Sequence, residues 1–351
     1  MTPASLQAQH RLEPGDRFPE FMLADQTGAM RAFSQRVRGL AMAVFLDSSD
    51  ALRRSLRALA DAYQAAELDC LAIDGTAEGA EPWLTILADE AGRIRQSLRE
   101  MAGRPASPGG ARPLAFLLDR NQRILAISDT RDGAGDGDLA RWALARWSEE
   151  PPATPAAEIR CAAPILTVPN VLSRADCRAL IARWHEMGNA PGTVTSLVKG
   201  ERVDRVYETL KKRRDHQLND PAVLRPLLAL IARRLGPELD KAFHYRAFKF
   251  DRVLIACYDA ERGDYFRRHR DNQTPATAGR RFALTLNLNS DEHEGGELIF
   301  PEYGDYRYKP PAGAAVLFSC SLLHEALPVT AGRRFALLSF LRDAGDHSPA
   351  T

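Results

Sequence analysis

The chain has 351 residues, of which 45% are hydrophobic and 26% are charged, and its formal net charge is +1. This length allows two domains of ordinary size, because single hydrophobic cores usually stop growing before it is reached. The composition excludes a disordered chain, and no apolar run approaches the roughly 20 residues of a membrane span. The near-neutral charge draws the protein to neither nucleic acid nor an anionic membrane, so we expect neither as a partner.

The N-terminal residues and the cysteines bear on location. Residues 1–18 lack the basic segment, apolar core and cleavage site of a secretory signal, so we expect a cytoplasmic protein. The cysteines are scattered and form no CxxC pair, which argues against a disulfide framework or a structural zinc site. We expect reduced, mostly buried thiols at Cys70, Cys161, Cys177, Cys257 and Cys320.

Residues 1–148 are predicted to alternate between strands and helices. Leu40 to Asp47 and Leu68 to Asp74 are apolar runs of strand length, and residues 50–67 between them have the leucine and alanine spacing of an amphipathic helix. A longer helix is predicted over residues 82–101, before a Pro/Gly-rich loop. The segments LAFLLD and RILAIS then predict a hairpin. The order β, α, β, α, β, β, α predicts a mixed sheet covered by helices.

That order, with the opening segment EPGDRFPEFMLADQTGAMRAFS, resembles the thioredoxin-like fold of the peroxiredoxin family over roughly residues 12 to 148. Pro113 lies where that fold usually has a cis-proline. A peroxiredoxin needs a low-pKa cysteine at the start of the helix after the first core strand, but residues 47–50 here read DSSD. Cys70 lies inside a predicted core strand. We therefore expect a non-catalytic module that binds or docks a partner.

Residues 149–163, EEPPATPAAEIRCAA, have the composition of a short linker. A strand, an N-cap at Ser173 and an amphipathic helix are predicted to follow. From Ala247 onward, short predicted strands alternate with Gly, Pro and Asp/Asn turns: FKFDRVLIACY, RFALTLNLN, GELIF, YRYKP, AAVLFS and FALLSFL. Regular short strands of this kind predict an all-β sandwich or barrel, such as a jelly roll.

Three residues in this strand-rich region have the pattern of a metal site. His269 and Asp271 form an HxD pair, and His324 follows about fifty residues later. Side chains two apart in an extended segment point to the same side, so one metal can contact both members of the pair. Two imidazoles and one carboxylate form a facial triad that leaves iron(II) with open positions for a bidentate oxoacid and dioxygen. HxD alone is a weak motif.

The segments around these residues make the pattern specific. They are YDAERGDYF before HxD, GGELIF between the ligands, and PPAGAAVLF and LHEALPVTAGRR around His324. Their succession resembles the catalytic domain of the prolyl 4-hydroxylase-like oxygenases, from about Pro164 to Arg342. The expected fold class is therefore α+β with two domains. Residues 1–148 would form the thioredoxin-like domain, and residues 164–345 a double-stranded β-helix (jelly roll) with flanking helices.

The resemblance implies roles for individual residues. His269, Asp271 and His324 would bind iron(II), and Arg334 would pair with the distal carboxylate of 2-oxoglutarate. A planar guanidinium meets a carboxylate with two parallel hydrogen bonds, which suits Arg334 to that role. Arg333 is the competitor, but in a strand it faces the opposite way.

Two further residues are weaker candidates for binding the co-substrate. Tyr258 matches a family tyrosine whose hydroxyl helps to bind 2-oxoglutarate, and Thr285 is an inward-facing polar strand residue. Ordinary barrel packing is the alternative for both. Where many family members have a tyrosine after the first ligands, this chain has Asn287 and Leu288, which departs from the family pattern.

The activity implied is hydroxylation of an unidentified substrate, with 2-oxoglutarate and O2 consumed, succinate and CO2 released, and ascorbate as reductant. By analogy the substrate is a prolyl residue in a protein or peptide, or a free small-molecule amino acid, although similar folds act on many substrates. One alternative is a non-catalytic, metal-dependent binding or sensing protein whose redoxin-like domain recruits a protein partner. The other is a thiol redox protein, which the missing cysteine disfavours.

A histidine and a run of basic residues are expected to lie outside the metal site. His293, in the turn DEHEGG, is expected to be solvent exposed and outside the metal site. The run Lys211-Lys212-Arg213-Arg214 is expected to be a solvated face, with a phosphate or an acidic peptide as the alternative ligand.

Overall fold

The computed structural model describes residues 11–36, 40–106, 111–130, 135–152, 158–159, 161–198 and 201–345. The chain separates into two compact units, Met1–Pro155 and Ala156–Thr351. The expected linker at residues 149–163 lies partly outside the described residues. Within the described ranges, no helix combines the length and the apolar character that crossing a bilayer requires.

The first unit is a seven-stranded mixed sheet in the order β2-β1-β5-β4-β3-β6-β7. Its strands are β1 (Met22–Asp25), β2 (Met30–Ala32), β3 (Ala41–Leu46), β4 (Leu68–Asp74), β5 (Leu84–Ala88), β6 (Leu114–Leu118) and β7 (Ile124–Asp129). Its helices are α1 (Asp50–Ala58), α2 (Ala60–Ala65), α3 (Arg93–Met101) and α4 (Asp138–Ser148), with a 3-10 turn at Phe33–Arg36.

Both faces of the central strands are covered, which explains their unbroken apolar sequences. Strands β3, β4 and β5 run parallel. On β3, Ala43 and Phe45 pack in the cluster that includes α1, α2 and α4. Val44 and Leu46 pack on the other face, in the cluster that includes Leu98 of α3.

Three expectations for this unit were wrong. The segment predicted as one helix over residues 82–101 contains strand β5, and helix α3 begins only at Arg93. A short apolar run such as LTILA fits a buried strand or a buried helix equally well. It is a strand here because it pairs with β4 in the sheet. The helix predicted over residues 50–67 is interrupted at Leu59. No described peptide bond is cis, and that before Pro113 is therefore trans.

The second unit contains two helices and the remaining strands. The helices are α5 (Arg174–Glu186) and α6 (Pro221–Phe243), with 3-10 turns at Ser290–Glu292 and Pro301–Tyr303. The strands are β8 (Ile165–Val168), β9 (Ala190–Pro191), β10 (Val194–Val198), β11 (Glu201–Arg205), β12 (Lys211–Lys212), β13 (Arg214–Gln217), β14 (Phe248–Asp259), β15 (Tyr265–His269), β16 (Arg280–Asn287), β17 (His293–Gly295), β18 (Leu298–Ile299), β19 (Ala315–Ser319), β20 (His324–Ala326) and β21 (Val329–Asp343).

These strands form a large antiparallel sheet opposed by a small one. The large sheet has the order β8-β19-β16-β21-β14-β13-β9, with β17 beside β21, and the small sheet has the order β12-β15-β20-β18. The hairpin β10-β11 stands apart. The expected strand at YRYKP is only a single bridge between Tyr308 and Leu298. The chain is therefore a mixed helix-and-sheet protein with several sheets.

The two faces of the large sheet bury different partners. One face packs against α5 and α6, where Trp184, Ile231 and Leu235 meet Ile255 and Leu337. The other face turns toward the small sheet in a second cluster. Helix α5 begins as predicted: Ser173 caps it, and Ser173 and Asp176 form a capping box.

A buried ion cluster connects β14, β16 and β21. The Nε atoms of Arg280 and Arg342 each lie 3.0 Å from Asp251 Oδ2. Asp251 and Arg342 are each only 1% exposed. Asp251→Asn would leave two buried guanidinium groups without their shared charge, so we expect the free energy of unfolding to fall by about 3–5 kcal/mol in urea titrations.

Asp343→Asn is the matched control for that substitution. Asp343 pairs with Arg281 at 2.8 Å, but both side chains are about half exposed. Its loss should cost less than about 1 kcal/mol. Equal losses from the two substitutions would contradict the structural role of the buried cluster.

Candidate active site

The structure brings His269, Asp271 and His324 together at one end of the small sheet. His269 ends β15 and lies directly opposite His324 of β20 in the strand register. Asp271 follows β15, and its backbone N–H donates to the Cys320 carbonyl at 2.9 Å. His269 Nε2 lies 3.4 Å from Asp271 Oδ1, and His324 Nε2 lies 3.3 Å from Asp271 Oδ2. One ligand atom from each residue falls within 4.8 Å of the others.

Backbone carbonyls fix the orientation of both rings. His269 Nδ1 lies 2.7 Å from the Arg267 carbonyl, and His324 Nδ1 lies 3.0 Å from the Leu322 carbonyl. Because a carbonyl only accepts, each Nδ1 carries a proton, and Nε2 is then the ring atom that is available to a metal in the neutral form. His269 Nε2 is buried and has no hydrogen-bond partner. Two inward lone pairs and one carboxylate fit the donor set of a non-haem iron(II) site.

The electrostatics favour the protonation states that a metal requires. Burial lowers the pKa of His324 to about 4, although the Asp271 carboxylate opposes this effect. Burial acts to raise the pKa of Asp271, but His324 and His269 together hold it well below its ordinary value. Near neutral pH, a neutral His324 imidazole therefore faces an ionised Asp271 carboxylate. Metal ligation needs these deprotonated forms.

Arg334 and Arg333 point to opposite sides of β21. Arg334 is 4% exposed, and its guanidinium carbon lies 5.1 Å from the centre of the Tyr258 ring. Arg333 is about half exposed and pairs with Asp259 at 2.8 Å. Among the described residues, no carboxylate lies within ion-pair distance of Arg334. Glu297 lies beyond that distance, although its charge favours the charged form of Arg334. A buried cation without a directly paired anion is unfavourable, so this position is suited to an anionic ligand.

All six candidate residues line one cavity of about 210 Å³. Besides the three possible metal ligands and Arg334, it is lined by Tyr258 and Thr285, which are 2% and 5% exposed. The Tyr258 hydroxyl accepts a hydrogen bond from Arg213 Nη1 at 2.7 Å. The predicted residues therefore occupy one space that a small dianion and a metal can share.

The second glycine of the GGEL segment allows the backbone to lie close to the side chain of Arg334. Gly296 has φ +72°, and a Cβ there would lie 2.8 Å from Arg334 Cδ and 3.0 Å from Val329 Cγ2. A side chain at this position would displace the guanidinium stem. The glycine therefore contributes to placing Arg334.

Sequence reasoning missed two cationic residues of the cavity. Lys211 and Arg213 are 4% and 7% exposed and line the cavity, so the expectation of a solvated face was wrong for both. Their spacing was the available signal, because alternate residues of an extended segment share one face. Because the run Lys211-Lys212-Arg213-Arg214 was interpreted as one charged face, the alternation between its two sides was not predicted.

The expectation that His293 is solvent exposed was also wrong. His293 is 8% exposed, and its Nδ1 lies 3.1 Å from the Gly295 carbonyl. Burial, with the charges of Lys309 and Arg334, lowers the pKa of His293 to about 4. A histidine in an unfolded chain has a pKa of about 6.5. Between these values the unfolded chain binds a proton that the folded chain does not, so stability falls as the pH falls.

His293→Gln should flatten this loss of stability. We expect its free energy of unfolding to decline less steeply from pH 6.5 to pH 4 than that of the wild type, by up to about 1.4 kcal/mol per pH unit. Urea titrations of the metal-free protein at several pH values measure the slopes. His185→Gln is the control, because it makes the same substitution at an exposed histidine. An unchanged slope in His293→Gln would contradict the burial effect.

Comparisons with known proteins place this site in a family. The family model described as the 2OG-Fe(II) oxygenase superfamily matches residues 253–342. A PKHD-type hydroxylase of Burkholderia lata is 30% identical over 207 residues, which cover 52% of this chain and 82% of the relative.

Two solved structures are each similar to part of the chain. A Pseudomonas putida prolyl-4-hydroxylase is 24% identical with a TM-score of 0.39, covering 52% of this chain and 94% of that one. The peroxidoxin BcpB of Mycobacterium tuberculosis is 19% identical with a TM-score of 0.33, covering 39% of this chain and 97% of that one. On the sequence relationship, the chain belongs to the 2OG-Fe(II) oxygenase superfamily and is an oxidoreductase of the dioxygenase class.

Proposed function

We propose that this enzyme hydroxylates a small-molecule, peptide or protein substrate, with His269, Asp271 and His324 binding iron(II) and Arg334 binding the distal carboxylate of 2-oxoglutarate. The observation that carries the proposal is the shared cavity. It joins three convergent metal-ligand atoms to a buried guanidinium that has no carboxylate partner among the described residues.

Each residue has a distinct task in this proposal. Iron(II), when bound, supplies the open coordination positions at which the keto acid and dioxygen react. Arg334 sets the depth and direction of the co-substrate through two parallel hydrogen bonds. The Tyr258 and Thr285 hydroxyl groups supply further polar contacts along the same wall. The carbonyls of Arg267 and Leu322 keep both imidazole lone pairs turned inward.

Apolar side chains exclude water from the metal triad. The Phe266 ring stacks on His269 with their centres 3.5 Å apart, and the Phe318 ring lies 4.6 Å from that of His324. Such enclosure strengthens the electrostatic contacts and limits side reactions of the bound oxidant.

The proposed products are succinate, CO2 and a hydroxylated substrate, with ascorbate keeping the iron reduced. By the family resemblance, the substrate is a prolyl residue in a protein or peptide, or a free amino acid. The Burkholderia lata relative is named as a hydroxylase, which supports this reaction type.

For the whole chain we propose three parts: a non-catalytic redoxin domain at residues 1–148, a linker at residues 149–163 and the oxygenase domain at residues 164–345. The redoxin domain would recruit a protein partner in the cytoplasm. The start of α1 supports a non-thiol role, because Ser49 caps this helix and Ser48 bonds to Asp74. Cys70 is buried in β4, and burial raises the pKa of its thiol far above the ordinary value.

Succinate formation tests the proposal. Purified protein receives iron(II), ascorbate, 2-oxoglutarate and oxygen, alone and with a panel of peptides and amino acids, and mass spectrometry follows the gain of one oxygen atom. We expect iron-dependent succinate without added thiol, increased by the true substrate. No succinate from protein with confirmed iron content, with or without the panel, would overturn the proposal.

A further inference from the structure

One extended segment buries a charged side chain at every second position, and the first two of these side chains, those of Lys211 and Arg213, line the cavity. Lys211, Arg213 and Asp215 are 4%, 7% and 9% exposed. Lys212 and Arg214 face the other side, where they donate to the backbone carbonyls of Arg262 and Asn189. Burying charge is costly, and an apolar row would pack this wall more favourably. The inward row is therefore better explained by binding than by packing.

Cations outnumber the carboxylate in this row. Asp215 Oδ1 lies 2.8 Å from Arg213 Nε, and Asp215 Oδ2 lies 3.9 Å from Lys211 Nζ, so one carboxylate serves two cations. Burial and the charge of Arg213 lower the pKa of Lys211 well below its ordinary value. A bound anion would reverse that effect.

Arg252 and residues 192–193 complete this part of the wall. Arg252 Nη2 donates to Thr193 Oγ1 at 3.2 Å, and Lys211 Nζ donates to the Thr193 carbonyl. Gly192 packs directly on the row, since a Cβ there would lie 2.8 Å from Asp215 Oδ2 and 3.1 Å from Lys211 Cε. Lys211, Thr193 and Arg252 all line the cavity that contains the metal triad.

Successive contacts place Lys211 and Arg334 at opposite ends of one row. The guanidinium carbon of Arg213 lies 5.4 Å from the Tyr258 ring centre, and Tyr258 also contacts Arg334. The same guanidinium carbon lies 5.5 Å from the Phe266 ring centre. Lys211 Nζ lies 5.2 Å from the centre of the same Phe266 ring, which stacks on His269.

This order divides the cations between two ligands. Arg334 and Arg213 surround Tyr258, where the distal carboxylate of 2-oxoglutarate is assigned. Lys211 lies beside the ring that covers a metal ligand, close to where a substrate must present its reacting carbon. An anion held by Lys211 would then belong to the substrate, within a few atoms of the bond that reacts.

The cavity size restricts what can carry that anion. Its volume of about 210 Å³ lies below the roughly 300–1,000 Å³ of pockets that enclose drug-sized ligands. Once 2-oxoglutarate is bound, only a small group of the substrate can lie inside the cavity.

We propose that Lys211 and Arg252 bind a carboxylate of the substrate, and that the enzyme hydroxylates a small carboxylic acid of the amino acid type rather than an internal residue of a protein. This inference rests on the proposed function, because that function assigns Arg334 to 2-oxoglutarate. A carboxylate can come from a free amino acid or from the side chain of an acidic peptide, and the experiment separates the two sources.

The test is calorimetric binding to the full chain loaded with iron(II) and 2-oxoglutarate under nitrogen. The probes are L-proline, L-leucine, L-glutamate and L-arginine, the α-amide of each, and N-acetyl-glutamate amide as the acidic-peptide arm. We expect at least one free amino acid to bind roughly 10- to 100-fold more tightly than its amide, because a hydrogen bond to a charged group contributes about 1.5–3 kcal/mol.

Lys211→Met should abolish this preference for the acid over the amide without weakening the binding of 2-oxoglutarate itself. Lys212→Met, whose side chain faces away from the cavity, is the matched control and should keep the wild-type preference. Thermal melting of both variants checks their folding. The ratio of acid to amide affinity is measured on the wild type and does not depend on the folding of any variant.

Three outcomes would overturn the inference. They are equal binding of every acid and its amide, tighter binding of the capped glutamate than of all free amino acids, and loss of 2-oxoglutarate binding in Lys211→Met. Failure of the proposed function is distinguishable, because then 2-oxoglutarate would not bind to the iron-loaded wild type.

Discussion

Replacing His324 with alanine should remove iron(II) from the protein and reduce succinate formation by roughly 1,000-fold or more, because the metal's contribution to the reaction amounts to several kcal/mol. His324 is 5% exposed, and its Nε2 lies 3.3 Å from Asp271 Oδ2. Alanine offers no ligand atom. The remaining pair, His269 and Asp271, is one ligand short of the facial triad.

Metal analysis and succinate assays on His324→Ala give the two readouts. His293→Gln is the control, because it changes a buried histidine outside the triad and should retain both iron and activity. A His324→Ala variant that keeps one iron per chain and normal turnover would refute its assignment as a ligand. Loss of succinate with full iron content would assign His324 a role other than ligation.

Replacing Arg334 with methionine should raise the KM for 2-oxoglutarate by about 30-fold or more while iron binding is retained. Truncating one partner of a buried charge pair costs about 2–5 kcal/mol. Methionine keeps much of the apolar stem that packs beside Gly296 and Val329, so the substitution removes mainly the charge and the paired donors.

Arg333→Met is the matched control for this substitution. Arg333 is the adjacent arginine on the same strand, but it pairs with Asp259 on the other side. Its KM for 2-oxoglutarate should remain near that of the wild type. If the two variants were affected equally, or if Arg333→Met had the larger effect, the assignment of Arg334 would be wrong.

The main residues of this cavity could be predicted from the sequence because side chains alternate between the two sides of a strand with a period of two residues. Strand alternation places His269 and Asp271 on one side and separates Arg334 from Arg333, and the structure shows both arrangements. The GGEL motif identifies these glycines in the sequence, but the contact that requires the second one exists only in the folded structure. Gly296 leaves space for the stem of Arg334.

Other features depend on tertiary pairing that no local pattern contains. Strand β5 was predicted as helix because its five residues suit either structure, and the neighbouring strands β4 and β1 determine the outcome. The burial of Lys211 and Arg213 follows from the position of β12 and β13 at the cavity, which composition alone does not reveal. His293 was expected in solvent because it lies in the turn DEHEGG, yet β17 pairs with β21 and His293 is buried.

The most direct test of the central claim is a calorimetric titration of 2-oxoglutarate into the wild-type protein under nitrogen, with and without iron(II). If the metal triad and Arg334 hold opposite ends of one molecule, one 2-oxoglutarate should bind per chain, much more tightly with iron than without it. Equal affinity in the presence and absence of iron, or no binding at all, would contradict the shared site.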